Sequence, residues 1–200
     1  MNKLKLFILL FFITNPALAN IDKAQNFTEQ VTSDIYQIVT QDLKVTEIRK
    51  ELVKYVKANL DIPWTAKFVL GKNWRKASAK QRERFIKIFT DYMAYSYAPR
   101  FSGYDNEQFT IDKTLEIAPQ KYVSKITLIL SDGTPVAIEL FLLEKSENFK
   151  VVDISGEGIS FAATQRAEFA SIISSKGLAK FLDQLEEKTL SLKNNSELDL

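Results

Sequence analysis

The sequence predicts an α+β fold in which helices pack on an antiparallel sheet of four strands, or slightly more. Apolar residues recur with a helical period up to Gly103, alternate from Phe109 to Ile154, and return to the helical period after Gly158. The links between the alternating segments suit hairpins and are too short for crossover helices, so neighbouring strands run antiparallel. Helices first, strands next and helices last is the order of a sheet with helices on one face.

The first mature helix starts near Ile21, with Ala24, Phe27, Val31, Ile35 and Ile38 on one stripe. A second runs from about Thr46, turning Ile48, Leu52, Tyr55 and Val56 inward and Arg49, Lys50, Lys54 and Lys57 outward. Asp61 caps a short third helix whose early Pro63 needs no amide partner. Gly71 interrupts the pattern after Phe68-Val69-Leu70 as a C-terminal cap or a close-packing point. Ser78 and Gln81 form a capping box for a long helix to about Arg100, with Phe85, Ile88, Phe89, Tyr92, Met93 and Tyr97 on its apolar face.

In the sheet, Phe109, Ile111, Leu115 and Ile117 belong to a first strand interrupted by Lys113. Tyr122, Ile126, Leu128 and Leu130 alternate along a second, and Ser131-Asp132-Gly133-Thr134 turns into a third bearing Val136, Ile138, Leu140 and Leu142. Ser146-Glu147-Asn148 turns into the fourth, Phe149 to Ile154. The Gly-flanked GEGIS bend then leads to a helix with Phe161, Phe169, Ile172 and Ile173 inward. Gly177 separates a last helix carrying Leu178, Phe181, Leu182 and Leu185, and the polar tail from 193 frays.

The start, MNKLKLFILLFFITNPALA, reads as a secretory signal peptide: Lys3 and Lys5, an apolar run, a Pro break and an A-x-A site ending at Ala19. Residues 20–192 form one domain. The whole chain has 27 basic and 25 acidic side chains, and without Lys3 and Lys5 the two are equal. A dedicated nucleic-acid binder carries a basic excess, so that class loses its footing. Cysteine and histidine are both absent, which removes disulfides, thiolates, His-ligated zinc, and Ser-His and Cys-His nucleophile systems. Composition therefore favours binding over catalysis.

Three constellations carry possible function. The basic-aromatic stretch FVLGKNWRKASAKQRERF (68–85) could meet phosphates or an acidic partner; it reads better as a helix junction with Trp74 and Phe85 in the core. Eleven mature phenylalanines give an apolar surplus that either fills a core or lines a pocket, and composition alone favours the filled core. Glu116, Glu139, Glu144, Asp153 and Glu157 lie in or beside strands, but nothing specifies an orienting partner for acid–base work. Arg166 could pair with a phosphate or with Glu157.

Two motifs go beyond periodicity. VLGKNWRKASAKQRERFIKIF (69–89), followed by Tyr97, Phe101 and Tyr104, resembles the pattern VLG-x-x-W/Y-(R/K)-x-(A/S)-(T/S)-x-x-Q-R of the MlaC family. VVDISGEGISFAATQRAEFASII (151–173) resembles its D-(V/I)-x-(V/I)-E-G-(V/I)-S…R-x-x-F segment, and KGLAKFLDQLEEK follows suitably. Gly156 and Gln165 depart from that pattern, where a branched apolar residue and a Tyr are usual.

The family comprises periplasmic phospholipid-binding components of the Mla system, which maintains outer-membrane lipid asymmetry. The resemblance implies a curved sheet wrapped by helices around an apolar pocket for acyl chains, with the head group near the surface. It implies no enzyme activity, cofactor or metal; the cargo is phospholipid. Implied partners are an inner-membrane ABC transporter complex with an MCE-domain subunit and an outer-membrane lipoprotein complex, met by a periplasmic monomer that binds no nucleic acid. With each methylene worth about 0.8 kcal/mol, two 16-carbon tails cost roughly 20 kcal/mol to expose to water. The matching segments and the face assignment give a candidate lining of Trp64, Phe68, Leu70, Trp74, Phe85, Phe89, Tyr92, Tyr97, Leu128, Leu140, Val151 and Phe161. Arg75, Arg100 and Arg166 are candidates for head-group contact or docking. The alternatives are an exported protein that binds a polypeptide through an exposed aromatic groove and, more remotely, a pocket enzyme on a similar scaffold.

Overall fold

The computed structural model describes residues 16–101, 107–146 and 148–197, with side chains for 20–96, 107–146 and 148–195. Most of the signal segment and the Glu147 turn position lie outside the described residues. The elements run α1 (Pro16–Val39), α2 (Val45–Asn59), α3 (Ile62–Leu70), α4 (Lys72–Lys76), α5 (Ala79–Phe101), β1 (Gln108–Ala118), β2 (Lys121–Ile129), β3 (Pro135–Lys145), β4 (Asn148–Gly156), β5 (Ile159–Ser160), α6 (Phe161–Lys176) and α7 (Leu178–Glu197). Helix α1 extends back across the expected cleavage point after Ala19, and α7 continues through much of the expected tail.

Local chemistry places the helix boundaries. Asp61 Oδ1 accepts from Trp64 N at 3.1 Å at the start of α3. Ser78 and Gln81 make the reciprocal capping box of α5, at 2.9 and 3.2 Å. Gly71 is both things the sequence allowed. It ends α3 with φ 53°, and a Cβ there would lie 3.1 Å from the Arg166 guanidinium. A side chain at 71 would meet backbone strain and a crowded cation together.

The five strands form one antiparallel sheet in the order β1-β2-β3-β4-β5, slightly larger than the minimal expectation. The first strand needs a correction. Simple alternation puts Phe109, Ile111, Leu115 and Ile117 on one face, but the register shifts between Ile111 and Lys113 and again between Glu116 and Ala118. Each extra residue turns the side chains after it to the opposite face. Phe109 and Ile111 therefore pair with Leu128 and Ile126, while Thr114 pairs with Ser124 and Leu115 with Val123. Another shift in β4 lets Val151 and Ile154 stand opposite Leu142 and Leu140 on the same inner face.

Helix α1 lies across that inner face. The other helices gather at the outer edge of β4, where Leu60 forms a parallel bridge to Val151 and Asp61 N donates to Val151 O at 2.8 Å. The helices thus surround the sheet from one face and one edge, instead of stacking only on one face. Their own core centres on Phe85, Phe89, Phe169 and Phe181, all at most 2% exposed. The Phe169 and Phe181 ring centroids are 4.8 Å apart, and those of Phe85 and Phe89 5.2 Å.

Candidate apolar cavity

The contact between α1 and the sheet is closed at one end and open at the other. At the closed end Ala24 is fully buried, and Thr28 Oγ1 sits 2.7 Å from Ser124 Oγ, which lies 3.0 Å from Thr114 Oγ1. These buried hydroxyls satisfy one another and fix α1 in register over β1 and β2. Phe27, Phe149 and Tyr122 fill the space beside them, with Phe27–Phe149 centroids at 6.0 Å and Tyr122–Phe149 at 5.4 Å. Burial, followed by the hydrogen bond to Glu144 Oε2, pushes the Tyr122 hydroxyl up to about 12.

From Val31 onward the side chains no longer fill the gap. A cavity opens there with about 1210 Å³ of atom-free space, its mouth included. Ile126, Leu128, Ile138, Leu140, Val151 and Ile154 form its sheet wall; Val31, Ile35 and Val39 face them from α1, Val56 from α2, and Leu60 from the position that follows α2. Thr65, Met93 and Phe161 come from α3, α5 and α6. Tyr36, at 43%, is the exposed member of the lining and marks the mouth.

Several polar groups in the wall are already occupied by the protein. Thr65 Oγ1 donates to Val152 O at 2.9 Å, and Thr32 Oγ1 to Thr28 O at 2.9 Å. Asn59 Nδ2 donates to Tyr55 O at 3.0 Å. Asp153 Oδ1 accepts from Ile154 N and Ala162 N, both at 2.9 Å, and its other oxygen accepts from Ser160. Tyr55 Oη donates to Asp34 Oδ2 at 2.9 Å; burial and then this bond raise its pKa. What such a wall offers a ligand is apolar area.

The expected lining divides into groups. Leu128, Leu140, Val151 and Phe161 do line the cavity. Leu70, Phe85, Phe89 and Tyr92 instead belong to the helical core, with Trp74 packed against it, and none of them lines this cavity. Their apolar face is consumed by α6 and α7, which periodicity cannot choose over the sheet. Trp64 and Phe68 line a second cleft on the opposite sheet face, with Ile117, Phe141 and Leu143. Their rings stack at 5.7 Å; Lys121 lies 5.9 Å from the Trp64 ring and Arg166 5.0 Å from that of Phe68. The side chains of Tyr97 and Arg100 lie outside the described residues, and Arg75 is exposed on α4. The α1 and α2 walls were missed as lining because their stripes read equally well as ordinary core.

The other charged candidates have structural partners. Arg82 Nε donates to Trp74 O at 2.8 Å, tying the two halves of the basic stretch together. Glu144 accepts from Tyr122, Glu139 from Ser155 Oγ at 3.1 Å, and Glu157 from Ala137 N at 2.7 Å. Among the described residues no cluster of three or more acids could hold a metal ion, and no helix is long and apolar enough to cross a membrane.

The family model described as MlaC protein matches residues 25–187. The chain belongs to the MlaC family. A curated relative, the intermembrane phospholipid transport system binding protein MlaC of Haemophilus influenzae, is 24% identical over 189 residues, covering 88% of this chain and 86% of the relative. Among solved structures, a phospholipid-binding protein from Ralstonia solanacearum, in complex with a phospholipid, shares the fold. Its TM-score is 0.75 at 20% identity, covering 85% of this chain and 98% of that one. This likeness supports the α+β architecture with its curved antiparallel sheet.

Proposed function

We propose that this protein is a soluble periplasmic phospholipid carrier, exported by a signal peptide cleaved near Ala19, that holds acyl chains in the cavity between α1, α2 and the sheet. The observation that carries the reading is the unfilled space itself. The atom-free space between these walls, about 1210 Å³ with the open solvent at the mouth counted in, is bounded by apolar side chains that replace the bilayer around a lipid tail. Family membership and the phospholipid named for both relatives point to the same cargo. Tails contact Leu128, Leu140, Val151 and Phe161 together with Val31, Ile35, Ile126 and Ile154, and the head group stays at the Tyr36 end. The carrier works as a monomer, without enzymatic chemistry or cofactor. It passes lipid between an inner-membrane ABC transporter complex with an MCE-domain subunit and an outer-membrane lipoprotein complex.

The test is the composition of the purified protein. Native mass spectrometry and solvent extraction are expected to find phospholipid bound without any having been added. Protein that is folded and repeatedly free of lipid, and that takes up none from vesicles, would overturn the carrier reading. The polypeptide-binding alternative would then turn to the Trp64–Phe68 cleft.

A further inference from the structure

We propose that the cleft at Trp64 and Phe68 is a docking site for an acidic segment of a partner polypeptide, which seats an apolar side chain there between carboxylates. The inference goes beyond the cargo, because this cleft lies on the sheet face opposite the cavity. Its atom-free space is about 580 Å³, open solvent counted in, between Trp64 and Phe68 of α3, Ile117 of β1, and Phe141 and Leu143 of β3. Ile117 is 53% exposed, so apolar surface reaches the rim. The Trp64 and Phe68 rings lie parallel to within 4°, and a cation stands over each: Lys121 over Trp64 and Arg166 over Phe68.

Arg166 is held in place without an acid. Its guanidinium packs on the Phe68 ring and against Gly71, whose missing Cβ leaves it room. Among the described residues, no hydrogen bond or ion pair uses its N–H groups or the Lys121 ammonium. The acids around the cleft are committed elsewhere. Asp153, in the wall, accepts from Ile154 N, Ala162 N and Ser160. Asp61 pairs with Lys145, Glu139 with Lys125, and Glu168 with Lys188. Glu144 accepts from Tyr122, and Glu116 stands opposite Tyr122 in the register, which puts both on the inner face. Lys67, exposed on α3 between the two ring positions, adds a further cation. The cleft therefore lacks negative charge, and a guanidinium with its face packed offers its edge to a carboxylate. Cations over both rings match two carboxylates on one chain better than the single anionic head of an amphiphile. A lipid surface meets apolar groups that protrude, whereas this one is concave and accepts an inserted side chain.

The probe is a set of fluorescein-labelled synthetic peptides with Leu, Phe or Tyr at the centre and Asp or Glu on both sides, each matched by a peptide carrying Asn or Gln instead. Anisotropy titrations with the protein as purified are expected to show binding to members of the acidic set, weakened by salt, and none to their neutral counterparts. K121E/R166E should bind them at least about tenfold less tightly, and K121Q/R166Q should lose affinity in the same direction. K180E/K193E makes the same charge change at exposed positions of α7 and should bind as wild type. All three variants should keep the wild-type urea midpoint and co-purified lipid. The proposal is overturned if acidic peptides bind no better than neutral ones, if K121E/R166E binds them unchanged, or if K180E/K193E loses as much. Phosphatidylglycerol vesicles form a second arm: vesicle binding that K121E/R166E abolishes, with no peptide binding, assigns the cations to a lipid surface and also overturns it. Each of these failures with phospholipid still bound leaves the carrier reading standing. Protein that takes the acidic peptides but never holds lipid would remove the carrier reading and keep this inference.

Discussion

The helical core and the sheet cavity are built from the same kinds of residue and end differently. Around Phe85, Phe89, Phe169 and Phe181, three helices bring large rings into mutual contact, and the space closes. Between α1 and the sheet, the walls are mostly branched aliphatics of moderate size, and the tight docking at Thr28, Ser124 and Thr114 lies at one end only. The remaining length of α1 spans a gap its side chains do not fill. One region holds the protein together; the other leaves room for a guest. Apolar surplus alone cannot tell these apart, because both bury hydrophobic side chains from water.

The largest expected effect is in the closed region. Phe169→Ala removes the ring that touches Phe85, Phe89, Tyr92 and Phe181, and is expected to cost about 3–5 kcal/mol of stability. Chemical denaturation measures the loss, and lipid per folded molecule should stay unchanged. A selective loss of lipid with little loss of stability would reverse the roles given to the two regions.

The open region should respond the other way. Leu140→Trp puts a larger side chain into space that the protein leaves empty, so stability of the delipidated protein should change by less than about 1 kcal/mol, below the usual cost of overpacking. Co-purified phospholipid, quantified by extraction, should fall severalfold. A variant that unfolds while keeping its lipid would mean the cavity wall is already close-packed.

The smallest effect concerns the closed end of the α1–sheet contact. Tyr122→Phe loses the 3.0 Å hydrogen bond to Glu144 and should cost about 1–2 kcal/mol near neutral pH. Folding raises the Tyr122 pKa from 10.0 to about 12, so the unfolded chain releases this proton first. The contribution is complete below pH 10 and is lost as pH rises toward 12. Urea midpoints of wild type and variant should therefore converge over that interval. A gap that stays constant would show that the hydroxyl is not held protonated by its buried site.

Much of the architecture was legible because it depends on near neighbours in the chain. Asp61, Gly71, Ser78 with Gln81, and the turn at Asp132-Gly133 are short-range signals, and each acts where the sequence put it. The β-bulges were not legible: an extra residue at Asp112 leaves the composition of β1 unchanged while moving Leu115 to the other face. Of the candidate lining, the strand residues border the cavity and those on α5 do not. Leu128 and Leu140 have only one inward face to take, whereas Phe85 and Phe89 can pack against the sheet or against other helices, and α6 and α7 compete for them successfully.

The sequence by itself determined the alternation of helix and strand, the lack of thiol and imidazole chemistry, and the motifs by which the family is recognised. Only the tertiary structure decided which apolar faces meet each other and which face an empty volume. Secondary structure follows from residue period and capping, which act over a few positions. A cavity is a property of several distant segments: here a hydroxyl cluster linking residues 28, 114 and 124 docks one end of α1 on the sheet, and the gap lies beyond it.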